Sequence, residues 1–558
     1  MLNTITLRAG PTPTEPALPL VLTPVTIFVG PNNSGKSKLL ADLNHFCVAG
    51  QVHRGMLILA GATLTPLAGP AIDALVADMS TPAAGETIPP GHLALRDGPR
   101  GTTHISRDAF IAALRAPNSA PANACSYYLR SRTLMLDALN RMTIINEGPA
   151  GDLQTPGTTP VQVLFRKDNL RKEVRDKLFQ AFGMYFTIDP TNFSNLRIKM
   201  SPTAPPPPEI ERGLSQSSIE FHSKGEPIQH FSDGVKAFSG ILMAFTAGSP
   251  EVILIDEPEA FLHPALAFSL GKDIAETSRR SEKRLFVATH SAEFLMGAIH
   301  SGAPINIVRI VRLTYRGATA TARVLPSDKL LKLMRNPLLR STGILAGMFS
   351  EFAVVTEADA DRSFYQEVNE RLVRHAGAGV SNVLFLNAKN RQTVDQICKP
   401  LRELGVPAAV IVDIDVVKEG GVVFTRLLEA AFVPEITRQA LATARGHLDA
   451  AFKITGKDPV VAGGTSLLSG AAKESAEKFL RDLAEYGIFV VPGGALESWL
   501  RSIGGGFPKH EWLEKIFEAM GEDPDSSSYL KPAMGDAWEF LTNVGKWLVD
   551  ANRKGMPG

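Results

Sequence analysis

Only three cysteines, Cys47, Cys125 and Cys398, occur in 558 residues, and they stand too far apart for a disulfide framework or a cysteine zinc site. Such scarcity fits a reducing compartment, so a cytoplasmic protein is expected. Long apolar runs are missing too: nothing approaches the ~18 apolar residues in a row that a membrane-spanning helix needs. The first residues form no basic-then-apolar leader, and neither secretion nor a membrane partner is expected. An excess of one charge is also lacking. The net +1 neither demands nor excludes nucleic acid, because a local basic groove can sit inside a neutral total. Residues 50–225 show no sustained heptads, which excludes a long coiled coil at that point.

What the chain does have is length for two or three domains and two halves of a nucleotide site, far apart in sequence. Thr26–Val29 reads as a strand. It runs into GPNNSGKS over residues 30–37, which fits G-x-x-x-x-G-K-[ST], and a helix follows. Gly30 and Gly35 let the backbone curl, so that the N–H groups of the loop, through Asn32, Asn33 and Ser34, face phosphates at a helix N-terminus. Lys36 is placed to reach the β- and γ-phosphates of ATP, and Ser37 to hold Mg²⁺. Downstream, the apolar run Ile253–Ile255 ends in Asp256 and Glu257. The first is a Mg²⁺ ligand, direct or through water, and the second a base or water-positioning group for hydrolysis. His290 ends another strand and is a candidate for the γ-phosphate.

Between the two halves, FSDGVKAF over residues 231–238 resembles the signature motif of ABC-type ATPases. Ser232 and Gly234 match the serine and glycine that touch the γ-phosphate across a dimer. Phe231, Asp233 and Lys236 depart from the transporter pattern. The run DEPEAFLHP over residues 256–264 is shared with recombination and repair ATPases of this class. That resemblance implies a homodimer or higher homo-oligomer with ATP between subunits. No glutamine-loop residue is assignable.

The stretch 50–225 reads as an insertion of short apolar segments with Pro/Gly breaks, including an extended surface loop over 201–208. Tyr127–Arg132 and Arg141 read as solvated helix charges, with a nucleic-acid or nucleotide surface as the alternative. The basic run 279–284 reads as a solvated turn. A boundary is expected near 340, giving an ATPase domain over 1–340 and a second α/β domain over 341–558. In the latter, strands at 352–355, 383–386 and 409–412 alternate with helices. Phe364, Tyr365, Val368 and Leu372 stripe the first helix, and Val394, Ile397, Cys398, Leu401 and Leu404 the second, which predicts a parallel sheet.

Acids gather at the ends of those strands. Glu357 ends one strand, with Asp361 a helical turn further on. Asp413 and Asp415 end another, two residues apart and therefore expected on one side. Such a cluster calls for hard cations, Mg²⁺ or Mn²⁺, and two of them would serve phosphodiester cleavage. The Glu…Asp-x-Asp pattern resembles the Toprim domain of topoisomerases, primases and OLD-type nucleases. Glu357, Asp413 and Asp415 fall on its defining acids, and Asp361 on a fourth acid of the OLD-type version. Ala358 replaces the usual glycine. Glu497 resembles a further metal-binding acid and Lys546 a late lysine that stabilises the transition state.

An ABC-type ATPase head followed by a Toprim-like Rossmannoid domain is the arrangement of OLD-family proteins, including the nuclease subunit of Gabija-type antiphage systems. The resemblance implies an ATP-regulated, metal-dependent DNA endonuclease in antiphage defence, with a helicase or effector as a separate partner. The alternatives are a PARIS-like ATPase scaffold that senses a phage product and controls an effector, and a DNA-repair ATPase.

Overall fold

The computed structural model describes the whole chain except residues 1, 83–85, 97–101, 152–156, 249, 280–282, 301–306, 318 and 558, and the side chain of residue 338. The chain divides into two compact units, Met1–Leu331 and Lys332–Gly558. The division falls inside the helix Ser327–Arg335.

In the first unit, Val25–Val29, Val252–Asp256 and Arg284–Ala288 are short, rich in β-branched residues and buried almost throughout. Strands buried on both faces read as continuous apolar runs and pair in parallel. They form the middle of a six-stranded sheet, in the order Thr319–Leu325, Val308–Arg316, Val25–Val29, Arg284–Ala288, Val252–Asp256, Thr133–Leu136. Every pairing is parallel except the hairpin between the first two. The edge strand Thr133–Leu136 comes from within the stretch read as an insertion. That stretch also holds the helix Asp168–Phe182 and the antiparallel pair Tyr185–Asn192 and Asn195–Ser201. Its proline-rich segment is irregular until Pro208 opens the short helix Pro208–Glu211.

Helices Pro264–Ser278 and Ala292–His300 cross at two glycines. A Cβ on Gly271 would lie 2.2 Å from the Phe294 carbonyl oxygen, and one on Gly297 would lie 1.9 Å from that of Phe268. Residues 280–282 of the basic run lie outside the described residues. Lys283 is not a solvated turn residue: its Nζ donates to the carbonyls of Phe245 and Gly248 at 2.7 and 3.1 Å, at the end of helix Asp233–Ala247. A cation there satisfies carbonyls that the helix leaves unpaired.

The second unit is built on a four-stranded parallel sheet, in the order Val383–Asn387, Phe352–Thr356, Ala408–Val412, Ile488–Val490. Phe364, Tyr365 and Val368 of helix Asp359–Arg371 pack into its core with Leu372, which opens the π turn that follows. Val394, Ile397, Cys398 and Leu401 are buried on helix Val394–Glu403, and Leu404 caps it. Two buried arginines tie the later segments to this layer. Arg402 donates to carbonyls of Ala408, Ala431, Tyr486 and Gly555, and lies 4.8 Å from the Trp547 ring centre. Arg371 donates to Met520, Gly521 and Leu530, with Tyr529 stacked at 4.0 Å. Five donors in a rigid fork let one guanidinium gather several carbonyls, and Arg371 keeps its Nε for Glu367 at 2.6 Å.

Because backbone atoms meet at the helix crossing, Gly297→Ala is expected to destabilise the first unit by roughly 1–3 kcal/mol. Urea unfolding of the variant measures this; an unchanged midpoint would contradict the packing.

Candidate functional site

The loop between strand Val25–Val29 and helix Lys36–Ala49 turns on three left-handed residues, Gly30, Asn33 and Gly35, with φ of 145°, 60° and 93°. Gly30 is obligatory for a second reason, since a Cβ there would sit 2.0 Å from the Leu313 carbonyl oxygen. Lys36 is 4% exposed and folds back into the loop, its Nζ 2.9 Å from Gly30 O, 2.8 Å from Pro31 O and 3.2 Å from Ser34 Oγ. Burial lowers its pKa to about 8, against the opposing charges of Glu257, Asp256 and Glu259. Asn32 is exposed within the same loop.

Ser37 Oγ lies 3.0 Å from Asp256 Oδ1, across 219 residues of sequence. Burial raises the Asp256 carboxyl, and the bond from Ser37 works against that rise. A hydroxyl and a carboxylate meeting beside a buried lysine are an oxygen donor set that fits Mg²⁺ next to phosphates. Glu257 follows in the left-handed region, φ 49°, with its side chain half exposed and its Oε1 3.9 Å from His290 Nε2. Burial, then the charge of Lys36, lowers the pKa of His290, so the ring is neutral near pH 7.

One neighbour escaped the sequence reading, and another stands elsewhere than expected. Glu259 accepts from Thr289 Oγ1 at 2.8 Å and from the His290 amide at 2.7 Å, which fixes the strand end that carries His290. Its presence in the DEPE run was the available signal. Arg141 is fully buried and donates from Nη1 to the Glu257 carbonyl at 2.8 Å. Arg141, read as a solvated charge with a nucleic-acid or nucleotide surface as the alternative, is instead buried behind the strand end that carries Asp256 and Glu257. Arg132 packs on the Tyr128 ring at 4.4 Å and lies 3.9 Å from Glu251, while Tyr128 Oη also bonds Glu251.

Ser232 stands exposed at the start of helix Asp233–Ala247 and makes no side-chain cap bond. Gly234 faces the Phe261 carbonyl, which a Cβ would approach to 2.7 Å. The signature segment therefore packs on the turn after Glu257.

In the second unit, Glu357 and Asp413 follow adjacent parallel strands, and Glu357 Oε1 accepts the Asp413 amide at 3.0 Å. Burial and then the charge of Asp413 push Glu357 up to about 7, with Arg391 easing it. Asp413 is likewise pushed up to about 7, by burial and then by the charges of Asp361 and Glu497, against Lys509 and Arg391. Asp361 Oδ2 accepts the Ala358 amide at 2.9 Å, and burial followed by Glu497 raises it. Beneath them Tyr365 Oη is bonded to Trp499 Nε1 at 2.9 Å.

Asp415 departs from the expected arrangement. It bonds Arg391, which also grips Glu419 at 2.6 and 3.1 Å. The strand ends at Val412, and Ile414–Val417 is a 3₁₀ turn, so the two-residue alternation that would align Asp415 with Asp413 no longer applies. Lys546 bonds Asn543 at 3.2 Å on its own helix, and Lys509 is the lysine beside the acids, 3.3 Å from Glu497. Among the described residues no three His, Cys, Asp or Glu side chains converge as a metal cage. No described helix is long and apolar enough to cross a membrane.

Residues 159–296 match the family described as "AAA domain, putative AbiEii toxin, Type IV TA system". The match takes in Ser232, Asp256, Glu257 and His290 but not the loop at 30–37. No curated protein matches the chain. Among solved structures, an SMC head bound to the C-terminal winged-helix domain of ScpA is 13% identical, with a TM-score of 0.33 over 59% of this chain and 99% of that one. The SMC head of Thermotoga maritima is 12% identical, TM-score 0.29, over 58% and 98%. An SMC head with an extended coiled coil bound to the C-terminal domain of ScpA, from Pyrococcus furiosus, is 14% identical, TM-score 0.31, over 60% and 98%. The family match at 159–296 supports an ATPase domain in the first unit, and the loop at 30–37, with Ser37 beside Asp256, has the geometry of an ATP site.

Phosphate binding requires charged Lys36, and the free protein begins to lose that charge near pH 8. Affinity for Mg·ATP is therefore expected to level off below about pH 7 and to weaken above pH 8, by about 25-fold at pH 9.5 relative to pH 7.5. Calorimetric titration across that range measures it, and a constant Kd would contradict the assignment of Lys36.

Proposed function

We propose that the chain is an ATP-regulated, divalent-metal-dependent DNA endonuclease of the OLD type, acting in antiphage defence. In the first unit, Lys36 and the loop amides orient the phosphates of ATP, Glu257 holds the attacking water, and neutral His290 bonds the γ-phosphate. Mg²⁺, held by Ser37 and Asp256, would neutralise the phosphate charge. Two copies would enclose the nucleotide, with Ser232 and Gly234 of one copy on the ATP at Lys36 of the other. Nucleotide-driven closure would then gate access of DNA to the acids of the second unit.

The observation that carries the nuclease reading is the Glu357–Asp413 pair. Two adjacent carboxyls, both pushed up to about 7, sit at the carboxyl edge of a parallel sheet. Open α/β sheets bind ligands at that edge, and carboxylates forced together are stabilised by a hard cation. Mg²⁺ keeps several waters and needs only one or two protein carboxylates, so a pair suits it without a preformed cage. Asp361 and Glu497 extend the donor set, and Arg391 and Lys509 supply positive charge for a phosphate backbone. Asp415 and Lys546 are left out of this set. The description of the matched family, a toxin of a type IV toxin–antitoxin system, supports a role in defence.

One observation favours a second reading. The grip of Arg391 on Asp415 and Glu419 neutralises part of the acidic edge, as would suit a scaffold that senses a phage product and controls a separate effector.

With plasmid DNA and Mn²⁺, the wild type is expected to nick. Asp413→Ala should abolish nicking and leave ATP hydrolysis within about twofold, whereas Lys36→Ala should abolish hydrolysis. Inert wild-type protein that forms large oligomers would favour the scaffold, and loss of both activities in folded Asp413→Ala would contradict the division of labour.

A further inference from the structure

Arg141 is an expensive residue to bury. It is fully enclosed, and among the described residues its Nε and Nη2 have no hydrogen-bond partner. Its one bond goes to a main-chain atom, the Glu257 carbonyl, at 2.8 Å. The charges facing it are those of Glu259, Glu257, Asp137 and Asp256. Removing its charge alone would leave those acids uncompensated and lower stability. Electrostatic balance does not require the one hydrogen bond it makes, to the Glu257 main chain.

The surroundings show what the bond does. Glu257 occupies the left-handed region, which side chains other than glycine disfavour unless neighbours enforce it. Its peptide groups are gripped on both sides: the amide donates to Ala288 O at 2.8 Å, and the carbonyl accepts from Arg141. Arg141 is itself fixed. Asp137 accepts the amides of Leu139 and Asn140 at 2.9 and 2.8 Å, which shapes the turn that starts the short helix Asn140–Thr143. Helix Asp233–Ala247 then passes so close that a Cβ on Gly240 would sit 1.9 Å from the Arg141 carbonyl oxygen. The helix that begins at the signature segment thus presses on the residue that holds Glu257.

We propose that Arg141 is a positioning residue for ATP hydrolysis, holding the Glu257 main chain so that its carboxylate is directed at the attacking water. The inference rests on the reading of Glu257 given above. It assigns Arg141 no contact with nucleotide, so its loss affects the chemical step and not ATP binding.

The test is a cycle on the full-length protein, with Arg141→Met, Arg141→Lys, Glu257→Gln and the Arg141→Met/Glu257→Gln double variant. Arg141→Met is expected to lower kcat at least about tenfold, with KM within about threefold, in protein that is still folded at the assay temperature. Lysine keeps the positive charge and a donor for the Glu257 carbonyl, and is expected to hold kcat within about threefold of wild type. In the Glu257→Gln background, Arg141→Met should cost less than about twofold more, because it acts through the group already removed. Wild-type kcat in Arg141→Met, or losses that multiply in the double variant, would overturn the inference. If methionine does not fold, Arg141→Lys decides: near-wild-type kcat supports the role, and a tenfold fall at unchanged stability refutes it. Full hydrolysis by Glu257→Gln would remove the reading of Glu257 and this inference with it. An inactive Glu257→Gln beside a fully active Arg141→Met would remove the inference alone.

Discussion

Asp256 lies opposite Ala288, and Ala288 opposite Phe28, in three parallel strands of the first unit. This register brings three strand ends to one level, and the nucleotide site depends on it. The loop at 30–37 leaves from the first strand, Thr289 and His290 from the second, and Glu257 from the third. A slip of one residue would reverse which face each side chain meets. Asp256 would then swing away from Ser37 and break a contact that spans 219 residues of sequence. Near-complete burial of the three strands enforces the register, since a slip would expose core residues or bury the acids.

Both units place charge at the carboxyl edge of a parallel sheet, but they balance it differently. In the first, the acids at 256, 257 and 259 face two buried cations, Lys36 and Arg141. A nucleotide brings phosphates to the lysine, and Arg141 stays behind the edge. In the second, Glu357, Asp361, Asp413 and Glu497 face Arg391 and Lys509, and Arg391 is shared with Asp415 and Glu419. Burial first, and then the neighbouring acids, raise Glu357, Asp361 and Asp413. Arg371 and Arg402 are buried for a different end, gathering carbonyls that hold the late segments on the sheet.

What could be read from the sequence was local in origin. The GPNNSGKS loop works through backbone turns and adjacent side chains, so its residue types announce it. The strands at 252–256 and 352–356 announce themselves by unbroken apolar runs that end in acids. Arg141 could not be read this way. Its burial depends on Gly240 and on strand Thr133–Leu136, which is short and only partly buried and so carries no clear pattern. For Asp415 the alternation rule has no strand to act on, since the strand ends at Val412 and a 3₁₀ turn follows. Lys509 lies in a segment with no motif and acquires meaning only from where the fold puts it. Lys546 showed the reverse: a motif-like position that the helix turns to other use.

The central claim is that the second unit presents a carboxyl pair that needs a divalent cation. Mn²⁺ binding to the nucleotide-free full chain at pH 8, followed by electron paramagnetic resonance in wild type and Asp413→Asn, tests it most directly. A class of bound Mn²⁺ present in the wild type and lost in the variant is the predicted result. Equal Mn²⁺ binding by the two proteins would contradict it.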